Sequence, residues 1–252
     1  MKRLQDALAP AAGVVILLVV WELSARLLWR DPQVLPSPFQ CLQAAANHLS
    51  LGDLSAHVVT SLGRILVGFG LAAIAGIVLG VLLGWYRGLG RVMAPLLELL
   101  RPIPPLAWIP MAIVWFGLGE PSKWFVIFLG SFFPVFTNTW RGMSNVPPVV
   151  LRAARTMDVD GLELLFRVAL PAAFADIATG LRVGFGLAFG ILVAAELIAV
   201  DRGMGFLIMQ SREIGQLGIA IFGVLLIGVV SLAADSALGI ALRKVGGRGW
   251  RL

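Results

Sequence analysis

Residues 152–171 read RAARTMDVDGLELLFRVALP, a charged stretch in the middle of an otherwise greasy chain. Six side chains in it are charged: Arg152, Arg155, Asp158, Asp160, Glu163 and Arg167. Val150, Ala153, Ala154 and Met157 recur at i, i+3, i+4 and i+7, and so do Leu162, Leu165, Phe166 and Ala169. Each set makes one apolar stripe on a helix. Asp158-Val159-Asp160-Gly161 parts the two stripes. Asp160 is placed to cap the second helix, with Glu163 three residues on in a capping-box arrangement. Glu163 and Arg167 form a favourable i, i+4 pair, and Pro171 opens the next element. The spacing predicts a helix–turn–helix with an apolar face on the rest of the protein and a charged face turned outward. Lipid headgroups or a protein groove could receive that outer face. The acids Asp158, Asp160 and Glu163 suit the groove better.

What surrounds the hairpin sets its meaning. Of the 252 residues, 59% are hydrophobic and only 13% charged, the composition of a chain solvated by lipid. About 20 apolar residues cross the roughly 30 Å of a bilayer core. Six stretches qualify: about 7–28, 58–86, 92–117, 124–140, 174–199 and 216–242. The expectation is an all-α membrane protein of six transmembrane helices, a single domain over 1–252, with the polar segment (about 146–171) between helices four and five. The start, Met1-Lys2-Arg3 and then apolar residues, imitates an export signal but reads as a retained first span, because no clean small-residue cleavage site follows. Net charge is +6. Its arginines lie between apolar runs, so they speak for membrane orientation and against nucleic acid. With the N-terminus in the cytoplasm, Arg87, Arg91, Arg141, Arg152, Arg155, Arg167 and the tail Arg243, Lys244, Arg248 and Arg251 all fall inside. That predicts both termini cytoplasmic. The lone Cys41 allows no internal disulfide and no cysteine-rich metal site. His48 and His57 lie outside the long apolar runs and read as solvated surface. No nucleophile–base constellation points to an enzyme. No G-x-x-x-x-G-K-[ST] loop is present for holding ATP.

Several features inside the spans ask for partners. Gly68, Ala72, Gly76, Gly80 and Gly84 make a row of small residues every four positions, suited to close helix packing or to a sliding surface. Arg64 lies at the depth of Glu196, and Arg182 at that of Asp235. Pairing is the first expectation for each, and service to an anionic cargo the second. Arg101-Pro102-Ile103-Pro104-Pro105 breaks the third span near mid-depth. Such a break suits a transport path, although a plain kink with Arg101 neutralised by Glu98 fits the same residues. Arg64, Arg101, Pro102, Pro104, Pro105 and Arg182 are thus the candidate path residues. Between spans one and two, Ser37 can cap a helix that begins at Pro38. Phe39, Leu42, Ala46 and Leu49 give that helix an apolar stripe suited to the outer membrane interface.

Arg152-Ala153-Ala154, Asp158, Val168 and Leu170-Pro171 resemble the cytoplasmic signature of permeases in bacterial ATP-binding-cassette importers: E-A-A, three residues, G, nine residues, then I-x-L-P. Arg152 stands in place of the glutamate, Asp158 of the glycine and Val168 of the isoleucine. Leu35-Pro36-Ser37-Pro38, the run from Arg101 to Gly117, Phe132-Phe133-Pro134 and Gly203-Met204-Gly205-Phe206-Leu207 resemble the nitrate/sulfonate/taurine branch. The resemblance implies a type I importer permease fold in the bacterial inner membrane. It implies a homodimer, two cytoplasmic ATPase subunits that carry the ATP and Mg, and a periplasmic solute-binding protein delivering a small, anionic solute. It makes the hairpin a pair of coupling helices, with Arg152, Ala153, Ala154, Arg155, Met157, Asp158, Asp160, Gly161 and Glu163 as coupling residues. Helical phase then puts Ala153–Met157 on the bundle and Arg155, Asp158, Asp160 and Glu163 on the ATPase. The rival is a secondary transporter or channel that works without an ATPase.

Overall fold

The computed structural model describes residues 2–29, 31–197 and 201–246, and it is helical nearly throughout. Helix α1 (Lys2–Ser24) runs on into a π turn at Ala25–Trp29. Then come α2 (Pro38–His48), α3 (Leu51–Trp85), α4 (Arg87–Leu100), a 3-10 turn at Pro105–Trp108, and α5 (Ile109–Phe116). They are followed by α6 (Glu120–Ser144), α7 (Pro148–Arg155), α8 (Gly161–Leu164), a π turn at Leu165–Ala169, and α9 (Leu170–Glu196). The last two are α10 (Met204–Glu213) and α11 (Leu217–Gly246). Residue 199, which closes the predicted fifth span, and the tail arginines Arg248 and Arg251 lie outside the described residues. Residues 1–59 with 201–228 form one compact unit, and 60–200 with 229–252 the other.

In the first unit, α2 begins as its sequence predicts. Ser37 accepts from the Gln40 N–H, the Gln40 side chain accepts from the Ser37 N–H, and Pro38 takes the first turn, where its missing N–H costs nothing. Cys41 and Ala45 face inward, whereas Phe39 and Leu42 of the expected stripe are exposed. Gly218, at the start of α11, lies against Ala44 and the backbone at Gln40. His57 is half-buried, not solvated: its Nδ1 accepts from the Gly203 N–H at 3.0 Å, and its ring stacks with Phe206. Gly203 makes that bond at φ 143°, a conformation side chains resist.

The second unit is organised around α6. The predicted row of small residues on α3 packs on it. A Cβ on Gly68 would meet Ile127, on Gly76 Val135, on Gly80 Thr139 and on Gly84 Met143, each within 3 Å. An adjacent side of α6 takes α9 just as closely, through Gly142 against Asp176 and Gly180 against Asn138. Along a third line Phe128, Phe132, Phe136 and Trp140 stack ring on ring at i, i+4, with centroids 5.5, 5.7 and 6.3 Å apart. This arrangement bears on the span count. Four helical runs are long and apolar enough to cross a membrane: residues 12–29, α3, the run from Gly161 to Glu196, and α11. Helices α4 and α5, bent by 80° at the proline break, add a fifth if counted as one span. Helix α6 is long enough, about 38 Å at 1.5 Å per residue, but it is not among these. A helix enclosed by its neighbours needs no lipid-compatible surface, so it can carry Ser131, Thr137, Asn138 and Thr139.

Candidate functional site: a charged hairpin and a buried ion cluster

Helix α7 starts with Pro147-Pro148 and lasts only two turns. It ends in a Schellman motif: the Val159 N–H donates to Ala154 O at 3.2 Å and the Asp158 N–H to Arg155 O at 3.1 Å. The residue after such a cap must be left-handed, and Asp158 is, at φ 59°. Gly161 follows at φ 60°. The position where the resembled signature carries glycine is thus left-handed in this chain. Asp carries a short polar side chain, which makes it one of the few types that tolerate that region.

Three expectations about the hairpin need correction. Asp160 starts α8 but makes no side-chain cap; its carboxylate pairs instead with Arg155 at 3.3 Å. The inner side of α7 is the half-buried Leu151 and Ala154, while Ala153, Val150 and Met157 face out, Met157 being 78% exposed. Similarly, Leu164, Leu165 and Ala169 are buried, and Leu162 and Phe166 exposed. The third correction is the second helix itself, which does not stop at Pro171. Pro171 cannot donate to the carbonyl four residues back. The chain absorbs this with the π turn, in which the Leu170 N–H reaches Leu165 O, and runs on into α9. The Glu163–Arg167 pair forms as predicted, at 2.6 Å. Arg152 is exposed and lines an open hollow with Arg87 and Arg155.

The ionisable groups in the spans pair as their depths suggest. Arg182 Nη2 donates to Asp235 Oδ2 at 2.7 Å, joining α9 to α11. Arg64 is buried and grips two carboxylates. Nη1 donates to Glu196 at 2.6 Å, and Nε and Nη2 to the two oxygens of Glu120 at 2.8 and 2.6 Å. Ser61 donates to Glu196 at 2.7 Å, and the buried Lys123 lies 3.4 Å from Glu120. Among the described residues two cations face two carboxylates, and the cluster clasps α3, α6 and α9. Glu120 and Lys123 went unnoticed as members in the sequence. They stand next to the proline break's exit, where they read as loop charges, and nothing in their local pattern points to Arg64. Arg101, Pro102 and Pro104 are exposed, and Pro105 is half-buried. Among the described residues Arg101 makes no ion pair, with Glu98 or any other acid.

Comparison with known proteins decides what this helical frame is. The profile of binding-protein-dependent transport system inner membrane components matches residues 73–247. The chain belongs to that family. It is a membrane-embedded ABC importer permease. The permease is 40% identical over 240 residues to a putative ABC transporter permease protein of Methanocaldococcus jannaschii, covering 91% of this chain and 86% of that one. It is 34% identical over 237 residues to the taurine transport system permease protein of Escherichia coli K12, covering 92% and 86%. It is also 34% identical over 235 residues to the nitrate import permease protein of Synechocystis, covering 90% and 84%. The matched region takes in both the hairpin and the proline break of the permease.

Proposed function

We propose that this permease imports a small anion such as nitrate, taurine or another sulfonate, working as a homodimer with two cytoplasmic ATP-binding-cassette ATPases and a periplasmic binding protein. Relatives named for taurine and nitrate support the solute class. The observation that carries the mechanism is the continuity of α8 with α9: the hairpin is the end of a 36-residue helical run from Gly161 to Glu196. A push on the hairpin is therefore delivered along that helix to the Glu196 end of the unit. Each ATPase grips one hairpin through its exposed side, where Arg152, Ala153, Arg155, Met157, Asp158, Asp160, Gly161 and Glu163 lie, with Ala154 seating α7. ATP and Mg act on the ATPases, and their closure draws the hairpins together. The solute passes the break at Arg101, Pro102, Pro104 and Pro105, where the Arg101 guanidinium, without an acid partner among the described residues, attracts it. Arg64 and Arg182, held by their own carboxylates, keep the path helices in register. Both termini lie on the ATPase side.

The test is reconstitution with the ATPases and the binding protein in liposomes. Asp160→Lys with Glu163→Lys should cut solute-stimulated ATP hydrolysis roughly tenfold or more, since like charges across an interface cost several kcal/mol. Arg167→Gln breaks the Glu163 pair and leaves every assigned coupling residue in place, and it should lose far less. Equal losses in the two variants would remove the docking assignment. Uptake by the permease alone under an ion gradient would favour the secondary-transporter reading.

A further inference from the structure

Two hollows meet at Trp85, the last residue of α3. One, of about 510 Å³, is basic, lined by Arg87, Arg152 and Arg155. The other, of about 330 Å³, is apolar, a groove between Val78 and Leu82 of α3 and Leu162 and Phe166 of the hairpin. Trp85 lines both. Arg155 is committed to Asp160, but Arg87 and Arg152 have no acid partner among the described residues. Val78 lies seven positions before Trp85, about 10 Å along the axis of α3 from the residue that the two hollows share. With α3 as a span, the apolar groove lies on the hydrocarbon side of the basic hollow. Trp85 and Tyr86 mark that boundary, as aromatic residues do at membrane interfaces.

We propose that the two hollows together bind one anionic phospholipid. Its phosphate sits between Arg87 and Arg152, and one acyl chain fills the groove beside Phe166. Guanidinium groups favour phosphate through paired hydrogen bonds. A carboxylate from a soluble partner could neutralise the arginines, but it would leave the apolar groove unfilled. A zwitterionic lipid could fill the groove, but it would leave two cations uncompensated. Because Arg152 stands on α7 and Arg87 opens α4 just after α3 ends, the lipid ties the coupling hairpin to the transmembrane frame.

The experiment is native mass spectrometry on the assembled permease–ATPase complex from micelles holding equal phosphatidylglycerol and phosphatidylcholine. The wild type should retain phosphatidylglycerol preferentially, and millimolar inorganic phosphate should not displace it. Arg87→Gln with Arg152→Gln should weaken retention roughly thirtyfold, at about 1 kcal/mol per cation. Val78→Trp, which fills the groove and keeps every charge, should displace the lipid too. Three results would overturn the site, all read on the wild type and so independent of how the variants fold. They are equal retention of both lipids, displacement by inorganic phosphate, and loss of the lipid whenever the ATPases are bound, which would give the hollow to an acidic group of the ATPase. The docking assignment is read separately, from the Asp160 and Glu163 variants.

Discussion

At the scale of single residues, Asp158 is where the hairpin stores strain. A left-handed residue with a Cβ costs on the order of 1–2 kcal/mol, and Asp recovers part of that through local hydrogen bonding. Its φ of 59° is imposed by the Schellman cap, so a substitution shifts stability with little change in shape. Asp158→Gly should leave the protein as stable as the wild type or better by up to about 1 kcal/mol. Asp158→Val, β-branched, should lose roughly 1–2 kcal/mol relative to wild type. Thermal unfolding of the two variants in the same detergent measures the difference, and identical midpoints would show that this turn is not constrained. Charges tell a parallel story. Arg64 and Arg182 were matched to Glu196 and Asp235 by depth alone, because hydrocarbon makes an unpaired ion costly and so narrows the choice. Glu120 escaped that logic, since it is only partly buried and water remained a plausible partner.

At the scale of elements, the glycine row on α3 is a packing surface with a measurable tolerance. A Cβ on Gly80 would stand 2.6 Å from the Thr139 Cβ and 3.0 Å from the Phe136 carbonyl, neither of which can swing aside. Gly80→Ala should therefore cost about 1–3 kcal/mol by overpacking. Gly70, on the same helix, meets nothing within 4 Å. Gly70→Ala should be neutral or stabilising by up to about 1 kcal/mol through helix propensity alone. If both alanines behaved alike, the close approach of α3 and α6 would be in doubt. The row was legible because period four is a helical signal. So were the cap at Ser37 and the proline break. The phase of α7 was not: two turns give too few positions to tell Leu151 and Ala154 from Val150 and Ala153. The merging of α8 into α9 was hidden for another reason. Pro171 is a helix breaker by local rules, and a π turn removes the break only because the helix beyond it is held by α6. The span at 124–140 was legible from its apolar run, but its polar ends were not, and α6 extends from Glu120 to Ser144.

At the scale of the whole molecule, the open matter is which end faces the cytoplasm, and the chain supplies its own clean background for asking. Cys41 is the sole cysteine and is fully buried, and burial pushes its thiol above the usual range. A thiol that is both inaccessible and protonated reacts slowly with maleimides, so the wild type should stay unlabelled until denatured. Single cysteines can then be placed at the two ends of the second unit, Leu118→Cys before α6 and Met157→Cys on the hairpin, both at exposed positions. The positive-inside bias puts the arginine-rich hairpin end in the cytoplasm and the acid-bearing Leu118 end outside. In intact cells with the outer membrane permeabilised, a membrane-impermeant maleimide should label Leu118→Cys and spare Met157→Cys. Lysing the inner membrane should make the second react as fast as the first. Labelling of Met157→Cys in intact cells would place the hairpin on the periplasmic face, out of reach of any cytoplasmic ATPase. The reverse result leaves α9 as a rod with its charged end in the cytoplasm and Glu196 at its far end. That is the geometry an ATP-driven push requires.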